Sequence, residues 1–118
     1  MGIQDWSEDT ILVDLSREPE MGNELIAAKK MAHNRGDCDV VIDFSGVDIV
    51  TSSSLSKLLK LRKMLYDSGH KLVLCSVSPA TKGIFIITGL DGNFEFANDK
   101  SEVLGGLGKI PQVGSYNS

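Results

Sequence analysis

Apolar positions along this chain follow two rhythms. In "TILVDL", Ile11, Val13 and Leu15 fall on one side of an extended chain, with Leu12 and Asp14 on the other. "DVVIDFSGV" alternates in the same way: Val40, Ile42 and Phe44 oppose Val41 and Asp43. "KLVLCSV" is apolar on both faces, as a central strand should be, and "NFEFAN" reads as a short last strand. Residues 2–6 suit an edge strand, joined to "TILVDL" as a hairpin through the polar link Ser7 to Asp9.

The second rhythm is helical. From Glu20 to Asn34, Met21, Leu25, Ala28 and Ala32 recur at steps of three and four, and Gly36 stops the run. After the serines at 52–54, Leu55, Leu58, Leu59 and Leu65 make a broad apolar face, flanked by Leu61 and Met64 and closed by Gly69. In "SPATKGIFIITGL", Ser78 suits an N-cap and Pro79 the first helical position. Thr81, Ile84, Phe85 and Thr88 share one side there, Ile86 turns away, and Gly89 ends the helix. "DKSEVLGGL" starts a terminal helix capped by Asp99 or Ser101.

Strands alternating with helices predict an α/β fold. The expected form is a mixed, largely parallel sheet of four to five strands with right-handed crossovers and about four helices. Sheets covered on both faces read as unbroken apolar runs. Asp14 and Asp43 interrupt the second face, which predicts helices mainly on one face and a partly solvated back. One domain over 1–104 accounts for every element, and the Gly- and Ser-rich 105–118 reads as a flexible tail.

Composition narrows the function. A net charge of −4 argues against direct nucleic-acid binding. The basic residues that do cluster, Lys57, Lys60, Arg62 and Lys63, read as the solvated face of a helix. No apolar run suits a membrane span, and the N-terminus carries neither a secretory nor a myristoylation signal, so a cytoplasmic protein is expected. Cys38 and Cys75 have no metal-like spacing and read as buried, reduced thiols, while His33 and His70 read as surface residues. No metal or cofactor is expected.

The junction "VDIVTSSSLSKLL" carries four hydroxyl residues in a row, Thr51 to Ser54, where one is enough to cap a helix. Exposed N–H groups and a partial positive charge at a helix start would equally hold a phosphate. Chemistry alone favours Thr51 or Ser52 as the cap, with the rest as small polar filler.

Two longer motifs extend this reading. "VVIDFSGVDIVTSSSLSKLLKL" and "LVLCSVSPATKGIFIITGL" together resemble the STAS domain family, found in bacterial anti-sigma-factor antagonists and in sulfate transporter tails. The first is similar to the family's strand, loop and Asp-Ser-Ser/Thr-Gly-Leu-Gly helix start. The second is similar to its strand, Ser-Pro helix start, central Phe and closing Gly-Leu. The resemblance covers about Thr10 to Leu104. It implies a binding module without catalysis, whose unphosphorylated form binds an anti-sigma factor that is also a serine kinase. It further implies that a phosphatase reverses the modification.

The acceptor implied by the resemblance is Ser52, with Ser53 as fallback, and the partner surface takes in Thr51, Ser52, Ser53, Ser54 and Ser56. Thr51 stands where the family has Asp, and Ser54 and Ser56 stand where it has Gly. Val50 and the outward Ile86 are expected to extend an apolar patch that binds a partner or, in a homodimer, a second copy of this chain.

Three alternatives stay open. A non-switching STAS scaffold in a signalling complex fits the same residues. A nucleotide-binding STAS domain lacks a phosphate loop here, since "GGLG", Gly105 to Gly108, follows no strand. A receiver-like phosphotransfer domain would need acidic residues at the carboxyl ends of strands. Asp14 and Asp43 are expected within theirs, and "LCSVSP" offers no Lys.

Overall fold

The computed structural model describes residues 2–36 and 38–107. Five strands form one sheet: β1 (Gly2–Ser7), β2 (Thr10–Asp14), β3 (Asp39–Asp43), β4 (Leu72–Cys75) and β5 (Glu95–Ala97). β1 runs antiparallel to β2, and all later neighbours are parallel. The spatial order is the chain order, β1-β2-β3-β4-β5.

That order explains the layers. Right-handed crossovers between strands added always to the same side must all pass over the same face. The helices α1 (Glu20–Arg35), α2 (Ser52–Asp67) and α3 (Pro79–Ile87) are these crossovers. α4 (Lys100–Leu107) follows the last strand and is bound by no such constraint; it packs on the other face.

The main core lies under the crossovers. Ile11 and Val13 of β2, Val40 and Ile42 of β3 and Leu72 and Leu74 of β4 meet Met21, Leu25 and Ala28 of α1, Leu58 and Leu61 of α2 and Phe85 of α3. Phe85 stacks edge-on against Phe94 and Phe96, with centroids 5.4 and 5.5 Å away. The back core is small: Leu12, Val41 and Cys75, closed by Leu104 of α4. The alternation in "TILVDL" and "DVVID" therefore divides the chain between two cores, as expected.

Each helix has a local reason to start or stop. Gly36 ends α1 at φ +77°, a left-handed conformation that glycine adopts without steric cost, and its N–H bonds to the Ala32 carbonyl. Ser78 caps α3 by accepting from the Thr81 amide, with Pro79 in the first turn. Asp99 caps α4 by accepting from Glu102 N–H at 2.9 Å, and Glu102 reaches back to the Asn98 amide. Arg35 at the end of α1 clamps the β1–β2 hairpin through Asp5 and the carbonyls of Ser7 and Glu8.

One expectation needs correction: Leu59 is only half-buried, because α2 is rotated so that Leu61 and Ser54 take the inner face beside Leu58 and Leu65. Helices lie mainly on one face, as expected, and the back is partly solvated: α4 covers Asp43, which is 6% exposed, while the Asp14 side chain keeps 37%. α4 runs to Leu107, three residues into the stretch expected as tail. The rest of the expected tail, 108–118, lies outside the described residues.

Candidate functional site

β3 delivers the chain to the carboxyl edge of the sheet, and residues 44–50 turn it back into α2. Val47 and Val50 dip into the core and anchor this turn, while Ile49 between them stays 60% exposed. The serine run begins where the turn ends.

Its four hydroxyls are not equivalent. Thr51 is the N-cap: its backbone is extended, and its Oγ1 accepts from the Ser54 amide at 3.2 Å. Its own N–H and hydroxyl both donate to Oε2 of Glu18, at 3.0 and 2.9 Å. Ser54 is 1% exposed, and its hydroxyl also bonds to Glu18. Ser53 is exposed and accepts from Lys57 Nζ at 2.8 Å, one helical turn on. Ser52 is exposed in the first turn, and among the described residues its hydroxyl has no partner.

Glu18 gives the site its charge. Burial acts to raise its pKa. The Ser54 hydroxyl, the Thr51 amide and hydroxyl, and the nearby Lys57 ammonium together outweigh that and hold it below its ordinary value. An ionised carboxylate therefore sits against the amino end of α2, where the helix dipole stabilises it. It comes from the β2–α1 loop, and no local pattern around Thr51 points to it.

The expected site residues divide accordingly. Thr51, Ser52, Ser53 and Ser56 are exposed on or beside the first turn of α2. Val50 is 6% exposed and part of the main core, so it leaves the expected apolar patch. Ser54 is withdrawn from direct partner contact by its burial against Glu18. Ile86 is 57% exposed, and its neighbour Ile87 reaches 87%. The phase set by Thr81 and Phe85, both buried, turns Ile86 outward and turns Ile87 outward further still.

A second polar cluster lies at the same edge of the sheet. Asp14 and Asp43 are the last residues of β2 and β3 and are paired in register, not placed within the strands as expected. Lys100 of α4 reaches Oδ1 of Asp14 and Oδ2 of Asp43, each at 3.6 Å. The Asp43 carboxylate also accepts from the Ser45 amide at 3.0 Å. The acidic pair thus meets a cation from the terminal helix rather than from the loop after β4. The receiver-like alternative fails on topology, because a sheet in chain order with one antiparallel edge is not doubly wound.

Nearby, burial and Asp43 push the Cys75 thiol up to about 12. Among the described residues no group of three or more His, Cys, Asp or Glu is placed to hold a metal ion. Nor is any described helix long and apolar enough to cross a membrane.

Comparison with known proteins agrees with this architecture. A candidate anti-sigma factor antagonist, BtrV of Bordetella bronchiseptica, is 31% identical over 67 residues, which span 57% of this chain and 58% of BtrV. The aligned stretch is therefore under two thirds of that relative. The unphosphorylated form of the anti-sigma factor antagonist SpoIIAA superposes with a TM-score of 0.74 at 15% identity, covering 92% of this chain and 98% of SpoIIAA. A Ser-to-Glu variant of RsbS from Moorella thermoacetica superposes at 0.73 with 21% identity, covering 95% of this chain and all of the other. These two likenesses show the fold. The STAS domain model matches residues 4–103, nearly the whole described chain, and the protein therefore belongs to the STAS domain family.

Proposed function

We propose that this STAS domain is an anti-sigma-factor antagonist: a binding module that engages an anti-sigma factor with serine kinase activity and is released from it by phosphorylation of Ser52. One observation carries the reading. In a run of four hydroxyls, three are engaged with Glu18 or Lys57, and Ser52 alone presents a free, exposed hydroxyl on the first turn of α2.

Phosphorylation there adds a charge of about −1.5 to −2 next to the Glu18 carboxylate. The helix start and Lys57 tolerate that charge, so the fold is kept. The outer surface instead gains that charge, and a partner seated on it meets added bulk and repulsion. The partner surface takes in Thr51, Ser53, Ser56 and the exposed Ile86. Where the family has Asp before its serine, this chain has Thr51, which binds the Glu18 carboxylate.

The test is phosphopeptide mapping after incubation with the cognate anti-sigma kinase, paired with a binding titration. Phosphate on Ser52, and a Ser52→Ala protein that is unmodified yet binds, support the reading. Equal modification of the Ser52→Ala protein moves the acceptor to Ser53. Unmodified protein that stays bound in the presence of kinase and ATP places the chain among non-switching scaffolds.

A further inference from the structure

The outer groove between α1 and α2 is built differently from the rest of the surface. On α1, Ile26, Lys29 and Lys30 stand at i, i+3 and i+4; on α2, Lys60, Lys63 and Met64 repeat the same spacing. The two stripes face each other across a cleft of about 660 Å³. Lys57, one turn before Lys60, extends the α2 stripe. Ile26 is 52% exposed, and with the half-buried Met64 and the lysine stems it gives the cleft an apolar floor under a cationic rim.

Charge makes this unusual. The chain carries a net −4, yet five of its lysines gather here. The one carboxylate of the cleft, Asp67, is paired with Lys63 at 3.1 Å. Lys29, Lys30 and Lys60 form no ion pair among the described residues. Five lysines against one carboxylate repel one another, and apart from Lys57 on Ser53 and Lys63 on Asp67 none of them has a polar partner among the described residues.

We propose that this groove is a second docking surface, and that its occupant is an acidic amphipathic helix of another protein. Two parallel stripes at helical spacing, with an apolar seam between them, match a third helix laid in the groove. Its apolar residues would cover Ile26 and Met64, and its flanking Glu and Asp would meet Lys29 and Lys30 on one side and Lys60 and Lys63 on the other. The competing occupants fit worse. The groove has no arginine for bidentate phosphate contacts, and its one ring is the imidazole of His33. Lys57 apart, the lining residues lie along the bodies of α1 and α2, with Lys60 eight residues beyond Ser52, so the proposal does not depend on the phosphorylation reading.

The probe is a fluorescein-labelled synthetic helix of about 14 residues, ~21 Å long, with Leu at helical spacing and Glu on both flanks. It is titrated with the full chain and followed by anisotropy. Binding should weaken about tenfold or more in a Lys29→Glu/Lys60→Glu variant and in Ile26→Asp, with unchanged thermal melting. Ser52→Ala should bind the probe like the parent. In the unsubstituted protein, amide and methyl NMR shifts on adding the probe should centre on Ile26 and Met64. A scrambled peptide of equal composition that binds as tightly would overturn the proposal, as would shifts centred elsewhere. Uptake of phosphatidylserine vesicles or duplex RNA at lower concentrations than the peptide, lost in the same lysine variant, would overturn it in favour of those ligands.

Discussion

The carboxylate of Glu18 accepts both the backbone N–H and the hydroxyl of Thr51, and so ties the β2–α1 loop to the amino end of α2. Thr51 in turn caps the helix, and Ser54 closes the group from inside. A site that is four hydroxyls in sequence is, in space, one carboxylate with three of those hydroxyls arranged around it or beside it. The fourth is left free.

The pH dependence of the fold should report this tie. The Glu18 pKa is lowered from 4.5 in the folded chain, so its stabilising contribution is complete above the unfolded value and is lost as pH falls through the folded one. Glu18→Gln should therefore destabilise the protein at neutral pH and flatten the fall in stability below about pH 4.5. Urea unfolding at pH 7 and at pH 3 checks this: the gap between parent and variant should shrink at the lower pH. An equal gap at both would mean that the charge is not what Thr51 recognises.

Thr51→Ala removes the cap together with one Glu18 contact and should cost about 0.5–2 kcal/mol. Thr51→Ser should recover most of it, since serine places the same oxygen. Ser52→Ala removes a hydroxyl with no partner and should change stability by less than about 0.5 kcal/mol. Thermal melting of the three variants side by side separates the capping residue from the proposed acceptor.

On α3, neighbouring residues should behave oppositely. Phe85 is fully buried against two other rings, and Phe85→Ala should cost roughly 3–5 kcal/mol. Ile86→Asp should leave unfolding almost unchanged, yet weaken association with the proposed anti-sigma partner about tenfold. Loss of stability in Ile86→Asp as large as in Phe85→Ala would place Ile86 in the core.

Lys100 should matter through the carboxylates it separates. Removing its ammonium leaves Asp14 and Asp43 side by side at the ends of paired strands. Lys100→Ala should cost roughly 1–2 kcal/mol, between the values for exposed and buried pairs. Adding Asp14→Asn should return part of the loss, as a double-mutant cycle would measure.

Cys75 should be inert. With its thiol raised to about 12, the thiolate is on the order of one molecule in ten thousand at pH 8. Alkylation of Cys75 in the native protein, followed by mass spectrometry, should proceed at the rate at which the fold opens rather than at that of a free thiol.

The chain's own pattern goes furthest where one residue faces one core. Ile11, Val13, Val40 and Ile42 alternate with Leu12 and Val41, and the two cores take them as the alternation requires. Phe85 and Thr81 fix the phase of α3 in the same way. The pattern is weaker on α2, whose leucines cover about 160° of the helix at 100° per residue. Such a broad face fits equally well centred towards Leu59 or towards Leu61, and packing chose Leu61. Val50 looked like part of an exposed patch because loops are mostly on the surface, but the 44–50 turn needs Val47 and Val50 as its anchors. Glu18 was beyond reach, since its role depends on a loop brought against Thr51 by tertiary folding. Lys100 was equally hidden, because only the return of α4 across the back of the sheet sets it between two strand ends.

Chain order and strand order coincide in this sheet, and that has a consequence for how the molecule is made. Each parallel strand docks beside the one synthesised just before it, so the sheet can lengthen strand by strand as the chain leaves the ribosome. The crossover face is sealed along the way by α1, α2 and α3. The reverse face waits. Leu12, Val41 and Cys75 are in place once β4 has formed, but their cover, Leu104, sits near the end of the described chain. Until α4 emerges the nascent protein carries a bare apolar strip on its back, with Asp14 and Asp43 at its rim as the charges that keep it in solution.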